Sequence, residues 1–319
     1  MKALMYRGNV LDRDFICAAY ENSENSVNIC YLNYELFNLQ WAPGAVVYEN
    51  KTGNINEYVK KFSPYDVQQS TNDVGKIVQN VWRPGLNLDH RKALEIDYGD
   101  ESRAKKELKL LIRKLEEIFL YIEPDTRSID LCYGHKTREL LILACTELEN
   151  RWIHYIRLSN KGGADERYTT SDYVKLYDKL FLNEFKVTFT NHPFVSNIIP
   201  FSGWNHARPT QSLKFYDAYN KLKHNGYDNF EEAKLSYCIE AVSANIIMHC
   251  IRYSPYSIIE GNDSCSIIYN EFFSISLENP SLKNFYIPFL KKVEMATGVF
   301  SAPLGSCFEK LWEIESFAL

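Results

Sequence analysis

The chain has no large excess of charge of either sign. Its 319 residues include 36 lysines and arginines against 41 aspartates and glutamates, so the formal net charge is −5. A domain that binds nucleic acid mainly by neutralising phosphates needs a broad positive face, and this balance excludes that class. Binding through a local basic patch stays open.

Long apolar runs are missing as well. The longest run, near residues 246–251, is far short of the roughly 20 residues that a membrane-spanning helix needs. Residues 1–7 are followed by Asp12, Arg13 and Asp14 before any stretch that resembles the apolar region of a signal peptide. We therefore expect a cytoplasmic protein that has no transmembrane helix and does not associate with a membrane.

The cysteines are not arranged as metal ligands or as redox pairs. They form no C-x-x-C pair and no cluster with histidine at the spacing of a zinc site. In a cytoplasmic protein such scattered cysteines are expected to be free and buried. All eight are covered by this expectation: Cys17, Cys30, Cys132, Cys145, Cys238, Cys250, Cys265 and Cys307.

Familiar catalytic signatures are absent. The chain has no G-x-G-x-x-G, no Walker-type glycine loop, no G-x-S-x-G and no H-E-x-x-H. These absences argue against the corresponding nucleotide-dependent and hydrolytic enzymes, and we expect neither a metal nor a cofactor. A triad assembled in space leaves no spacing signature, so the sequence does not test that class.

What the sequence does contain is a strongly helical middle. Apolar residues recur at steps of three and four in residues 101–254, and this period is lost on both sides. We predict helices near residues 102–122, 136–158, 171–182, 212–224 and 231–253, with Ser102 capping the first. The predicted fold is mainly α, a helical bundle with extended or β-containing terminal segments.

The two terminal portions have short segments that favour strands. Residues 1–100 form a predicted extended or β-rich portion, with strands around residues 15–20, 27–32 and 45–48. Residues 255–319 form a predicted mixed α/β extension that packs on the bundle. Its predicted strands are residues 257–259, 266–269 and 272–277.

One candidate site is the end of the helix that finishes at His224. An imidazole titrates near neutral pH and can act as an acid or a base, and Lys221 and Lys223 can hold a phosphate beside it. The alternative is purely structural, because basic residues at a helix C-terminus also cap its free carbonyls and complement its dipole.

Four phrases carry a resemblance to an uncharacterised family of bacterial proteins of similar length. They are YGH at residues 133–135, RELLILACTELE at residues 138–149, PTQSL at residues 209–213 and YDAYNKLKH at residues 216–224. The last phrase, followed by Phe230 and a long apolar helix, also resembles the end of HEPN domains (higher eukaryote and prokaryote nucleotide-binding). HEPN domains are helical bundles of antiviral and toxin systems.

The resemblance implies a function. Many HEPN proteins are metal-independent ribonucleases, and their motif is an arginine followed four to six residues later by a histidine. It implies His224 as the general acid or base for attack by a ribose 2′-hydroxyl. No arginine lies four to six residues before His224, so Lys221 or Lys223 would partly replace it, without the two-pronged geometry of arginine.

A second interpretation uses the same residues in a degenerate site that only binds RNA or a nucleotide, or in a non-catalytic protein–protein interaction module. In both interpretations the candidate binding residues, beside the three named at the helix end, are Asn220, Asn225, Asp217, Tyr219, Trp204, Arg208, His135, Arg138 and Glu139.

Assembly is the last expectation. The resemblance implies paired sites, and a homodimer is expected in which the helix ending at His224 and the loop at residues 200–211 face a second copy. Phe201 and Trp204 in this loop are the kind of side chain that anchors interfaces. The alternative is that both rings fill the core of their own chain.

Overall fold

The structure is a computed structural model, and it describes residues 1–10, 13–21, 26–32, 46–52, 54–60, 64–86, 90–159, 167–195, 197–289, 299–302 and 312–319. The chain divides into two compact units. The first comprises Met1–Ile96 with Asn279–Ser316, and the second comprises Asp97–Glu278 with Phe317–Leu319. Both units are therefore built from segments that are distant in sequence.

The described residues contain ten strands: β1 (Leu4–Val10), β2 (Arg13–Glu21), β3 (Ser26–Leu32), β4 (Val46–Thr52), β5 (Tyr65–Gln69), β6 (Lys76–Val78), β7 (Phe185–Phe189), β8 (Phe273–Leu277), β9 (Val299–Ala302) and β10 (Glu313–Glu315). They also contain eleven α-helices: α1 (Ile55–Lys60), α2 (His90–Ala93), α3 (Tyr98–Phe119), α4 (Ser128–Leu131), α5 (His135–Leu158), α6 (Thr170–Tyr173), α7 (Leu176–Lys179), α8 (Lys214–His224), α9 (Leu235–Tyr253), α10 (Tyr256–Ile259) and α11 (Ser264–Phe272).

The first unit is built on a six-stranded sheet. Its strand order is β5-β1-β2-β3-β4-β9, and each neighbouring pair is antiparallel. The strands predicted at residues 15–20, 27–32 and 45–48 correspond to β2, β3 and β4. Tyr6 of β1 lies opposite Cys17 of β2, and both are buried in a cluster with Ala19 and Val59.

The second unit is organised around α9. Buried residues occur on every side of this helix, and α3, α5 and α8 pack around it. An α-helix that is apolar all round is stable in water only when neighbouring elements cover it, which explains the central position. A small antiparallel sheet of β7 and β8 completes the unit.

Helix α3 illustrates how the local sequence determines where a helix begins and which of its faces is buried. Its buried positions fall on one stripe at steps of three and four: Ala104, Leu108, Leu111, Ile112, Leu115 and Ile118. Asp97 caps the start by accepting a hydrogen bond from the backbone N–H of Asp100 at 2.8 Å. The predicted cap, Ser102, lies inside the helix instead.

The prediction of a mainly α fold is wrong. Helices predominate, but the described residues hold three sheets, one of them six-stranded, so the chain is mixed α/β. The helices predicted in the middle are present, although the one predicted at residues 171–182 is two short helices, α6 and α7. None of the helices that the structure describes is long and apolar enough to cross a membrane.

Two of the strands predicted after residue 254 are also wrong. Residues 257–259 belong to helix α10 and residues 266–269 to helix α11, whereas residues 272–277 match β8 closely. The Asp263 carboxylate accepts hydrogen bonds from the backbone N–H groups of Cys265 and Ser266 at 2.9 and 3.0 Å. This N-cap stabilises the first turn of α11 and outweighs the weak two-residue alternation.

Candidate functional site

The C-terminal end of α8 presents basic side chains because the other face of the helix is apolar. Phe215, Tyr219 and Leu222 are buried against the second unit, which turns Lys221, Lys223 and His224 outward. His224 is the last residue of the helix and is exposed. It has no hydrogen-bond or ion-pair partner among the residues that the structure describes.

The two lysines are already engaged. Lys221 donates to Glu232 at 2.8 Å and lies 3.1 Å from the Asp217 carboxylate, and the bond to Glu232 is the main reason that the pKa of Lys221 is raised. Lys223 donates to the Tyr219 hydroxyl at 2.9 Å. Neither ammonium group is an unpaired replacement for a motif arginine.

Behind Lys223 lies a hydrogen-bonded chain that the sequence did not reveal. The Tyr219 hydroxyl donates to Glu149 Oε2 of α5 at 3.3 Å, and the Tyr216 hydroxyl donates to Glu149 Oε1. Burial, followed by the bond to Glu149, raises the pKa of Tyr216. The chain fixes Tyr219, which in turn holds the Lys223 ammonium one turn back along α8. The feature of the sequence that pointed to this hydrogen-bonded chain is Glu149, a carboxylate that lies about one helical turn before the buried Trp152.

Arg138, on the first turn of α5, lies against the turn that follows His224. A Cβ atom added at Gly226 would lie 2.6 Å from Arg138 Nη2 and 2.7 Å from the Leu222 carbonyl oxygen. The Arg138 side chain makes no hydrogen bond or ion pair with any residue that the structure describes, and its Nε is buried without a partner. An unpaired guanidinium and an unpaired imidazole therefore share one turn of the chain.

Aromatic side chains lie next to Arg138. His135, three residues earlier on α5, is exposed and lies 4.9 Å from the Phe230 ring, centroid to centroid. Tyr133 meets the same ring edge-on at 5.9 Å and is 51% exposed. Since positions three apart share one helix face, His135 and Arg138 lie on the same side of α5.

The other candidate residues have structural roles or lie elsewhere. Glu139 pairs with Lys114 of α3 at 2.6 Å, and this bond lowers the pKa of the carboxyl. Asn225 donates to Asp228 at 2.6 Å. Asn220 is half-buried, and Arg208 is exposed on the loop before α8. Glu139 and Asn225 are therefore engaged in contacts of their own, although Asn225 directly follows His224 in the chain.

The loop at residues 200–211 does not present aromatic anchors to a second copy. Phe201 and Trp204 are 0% and 2% exposed, and Trp204 stacks on Trp152 at 5.1 Å. The Trp204 indole also donates to the Pro209 carbonyl oxygen at 2.7 Å. Both rings fill the core of their own unit, so this argument for the dimer is corrected.

Five of the described thiols are buried and are not activated nucleophiles. Burial raises the pKa of Cys265 to about 11 and that of Cys17 to about 12, and it raises those of Cys145, Cys238 and Cys250 as well. Cys132 is half-buried, while the side chains of Cys30 and Cys307 lie outside the described residues. Over the part of the chain that the structure describes, no three His, Cys, Asp or Glu residues are grouped to hold a metal ion.

No family model, curated protein or solved structure matches this chain. The resemblance to HEPN domains therefore stays a prediction, and functional inference depends on the geometry at the end of α8.

Proposed function

We propose that the protein is a HEPN-like ribonuclease of a bacterial defence or stress response, which cleaves RNA without a metal at the turn that follows α8. The observation that carries the proposal is the position of Arg138. Its unpaired guanidinium lies against Gly226, two residues after the unpaired His224. Helix α5 thus supplies the arginine that the residues before His224 lack.

The chemistry requires few groups. A ribose 2′-hydroxyl attacks the adjacent phosphorus, the bond to the 5′-oxygen breaks, and a 2′,3′-cyclic phosphate forms. His224 accepts the proton of the attacking hydroxyl or donates a proton to the leaving 5′-oxygen, and water carries the other of these two protons. Arg138 binds the non-bridging phosphate oxygens, whose negative charge grows in the transition state, and its planar fork matches two of them.

Lys223 contributes charge from a fixed position. Its ammonium is held by Tyr219, and the Glu149 carboxylate behind that tyrosine compensates part of the positive charge. Lys221 is compensated more fully, by Asp217 and Glu232. In this proposal Lys223 attracts the phosphate and Lys221 stabilises the helix end.

The test is cleavage of mixed single-stranded RNA in the presence of a metal chelator. Wild-type protein is expected to cut it, and His224→Ala and Arg138→Ala are each expected to lower the rate by about 100-fold or more. His206→Ala is the matched control, because His206 is exposed and lies on the loop before α8. Cleavage by His224→Ala at the wild-type rate would reject the site.

A second candidate is a degenerate site that binds RNA or a nucleotide without cutting it. The observation that favours it is the engagement of Lys221 and Lys223, which leaves the side chains of Arg138 and His224 as the unpaired groups of this turn among the residues that the structure describes. The same experiment separates the two functions: intact RNA that is retained by wild-type protein and released by Arg138→Ala identifies binding alone.

A homodimer and a cytoplasmic location belong to the same proposal. Because Arg138 and His224 come from one chain, the proposed chemistry does not need a residue from a second copy. The resemblance still implies pairing. Sedimentation equilibrium at micromolar concentration should give about twice the 37.2 kDa of one chain, and a mass near that of one chain would reject the dimer.

A further inference from the structure

The surface beside Arg138 combines aromatic rings with cationic groups. Tyr133, His135 and Phe230 form what we call the aromatic face. Tyr133 and His135 are exposed, and Phe230 is half-buried. No step of the proposed cleavage uses these three rings.

The aromatic face is built as a unit. A backbone bridge joins Tyr133 to Lys234, and the Leu235 N–H donates to the Cys132 carbonyl oxygen at 2.9 Å. These bonds attach the segment that carries Phe230 to the start of α5. The relative positions of the three rings are therefore set by main-chain bonds rather than by the rings alone.

Two of the three residues of the aromatic face are linked to the turn that follows His224. His135 lies one helical turn before Arg138 on α5, and Phe230 lies four residues after Gly226, which Arg138 contacts. The nearby Glu232 carboxylate is bonded to Lys221, so its charge is largely compensated. A negatively charged ligand that also carries a flat ring fits this combination.

We propose that the aromatic face is a nucleobase subsite, where an unpaired base lies against His135 and Phe230 while the adjoining phosphate meets Arg138. Base stacking on aromatic side chains tolerates all four bases, since each has a π-face. A duplex is a poor ligand, because its bases already stack on one another. The inference rests on the proposed function for the identity of the phosphate site, and it adds the class of nucleic acid, a single strand.

The test measures binding separately from cleavage. The probe is a fluorescent oligoadenylate decamer with 2′-O-methyl groups, which has no attacking hydroxyl and stays intact. Its affinity is compared with that of an abasic decamer of the same length and of the corresponding A·U duplex. Adenosine monophosphate is used as a competitor, to distinguish a free nucleotide from a strand as the source of the base.

Two variants and one control accompany the probes. His135→Ala removes an exposed ring, and Phe230→Leu keeps an apolar side chain so that the fold is preserved. Tyr98→Ala is the control, since Tyr98 is an exposed aromatic at the start of α3. We expect each subsite variant to weaken binding of the base-bearing strand by about tenfold. Binding of the abasic strand should stay within about twofold of wild type.

The outcomes separate the two proposals. Equal affinity for the base-bearing and abasic strands, or no binding of the decamer at about 1 mM, overturns the subsite even where RNA is cleaved through His224. If the base-bearing strand binds more tightly than the abasic strand but His224→Ala still cleaves RNA at the wild-type rate, only the catalytic assignment of His224 is overturned. If adenosine monophosphate displaces the decamer at a concentration equal to the total nucleotide concentration of the decamer, a free nucleotide is the occupant. If it competes only weakly, the occupant is the strand.

Discussion

Gly226 controls where the Arg138 guanidinium can lie. A side chain at this position would approach Arg138 Nη2 at 2.6 Å and the Leu222 carbonyl oxygen at 2.7 Å, and both distances are shorter than real Cβ contacts. Arginine is flexible and can withdraw, but the carbonyl belongs to the last turn of α8. A methyl group there must therefore move the turn that begins after His224, even where the cation withdraws.

Gly226→Ala tests this packing. We expect the free energy of unfolding to fall by about 1–2 kcal/mol and RNA cleavage to fall with it, because Arg138 is displaced from the turn. Urea denaturation and the cleavage assay measure the two effects. Gly134→Ala is the control, since a Cβ there meets nothing within 4 Å, and the two variants should behave differently. Identical behaviour would mean that the close approach has no role.

Glu240 of α9 is the residue whose charge state should matter most near neutral pH. Burial raises the pKa of its carboxyl from 4.5 to about 7, and Lys214 offsets only part of this effect. Between pH 4.5 and about pH 7, the folded protein therefore keeps a proton on Glu240 that the unfolded chain has lost. The resulting stabilisation is complete below pH 4.5 and is lost as the pH rises through 7.

Glu240→Gln should remove this loss, because the amide imitates the neutral acid. We expect the variant to match wild type near pH 4.5 and to exceed its stability at pH 8 by up to about 3 kcal/mol. Glu231→Gln, an exposed carboxylate, should show no such difference. His154 acts in the opposite direction, since burial lowers its pKa to about 4, so variant and wild type must be compared at each pH.

At the scale of elements, one buried polar bridge joins α5 to α9. Arg151 is 7% exposed, and its Nε donates to Asn245 Oδ1 at 3.1 Å. Asn245 Nδ2 donates in turn to the carbonyl oxygens of Ala144 and Ala241, both at 2.9 Å. The Glu107 carboxylate lies 3.9 Å from Arg151, so the amide of Asn245 makes the closest polar contact of the buried guanidinium.

Removing that amide leaves buried donors and acceptors without partners. Asn245→Ala should lower the free energy of unfolding by about 2–4 kcal/mol, whereas Asn150→Ala, on the exposed side of α5, should change it by less than about 0.5 kcal/mol. Adding Arg151→Met should recover part of the loss, because the unpaired charge is then gone. Chemical denaturation of the three variants checks this, and an additive double variant would contradict it.

The same helices show what could be predicted from residue patterns. The apolar stripes of α3 and α5 and the all-apolar α9 were recognised from period alone, because burial dictates each of them. Helices α10 and α11 were predicted as strands, since four-residue windows such as 266–269 cannot distinguish the two periods. The Asp263 cap was visible in the sequence and was the better signal.

For the molecule as a whole, the pairing of distant strands could not be predicted from the sequence. Strand β9 pairs with β4 and β10 with β6, and no local period shows which distant strands will meet. The same limit applies to the site. Arg138 and His224 were both candidates, but the approach of Arg138 to Gly226, two residues after His224, depends on the packing of α5 against α8. The mainly α prediction failed because the sheet is assembled from both ends of the chain.

Tyr286 shows how the late segment completes the first unit. Its buried hydroxyl accepts from the Val78 N–H and donates to the Val81 carbonyl oxygen, both at 3.0 Å, and its own N–H donates to Pro84 O at 2.8 Å. Gly85 lies so close to the Tyr286 backbone that a Cβ there would clash with the carbonyl of Tyr286. Residues 76–86 therefore depend on a side chain about 200 positions later.

Tyr286→Phe tests this dependence by removing a single oxygen atom. The ring and its packing stay, but the Val78 N–H and the Val81 carbonyl lose their shared partner inside the protein. We expect a loss of about 2 kcal/mol in the free energy of unfolding and faster hydrogen exchange at residues 76–81. Tyr227→Phe, at a tyrosine that is almost fully exposed, should leave both unchanged. Exchange at residues 76–81 that matched wild type would show that main-chain pairing with β10 alone maintains this segment.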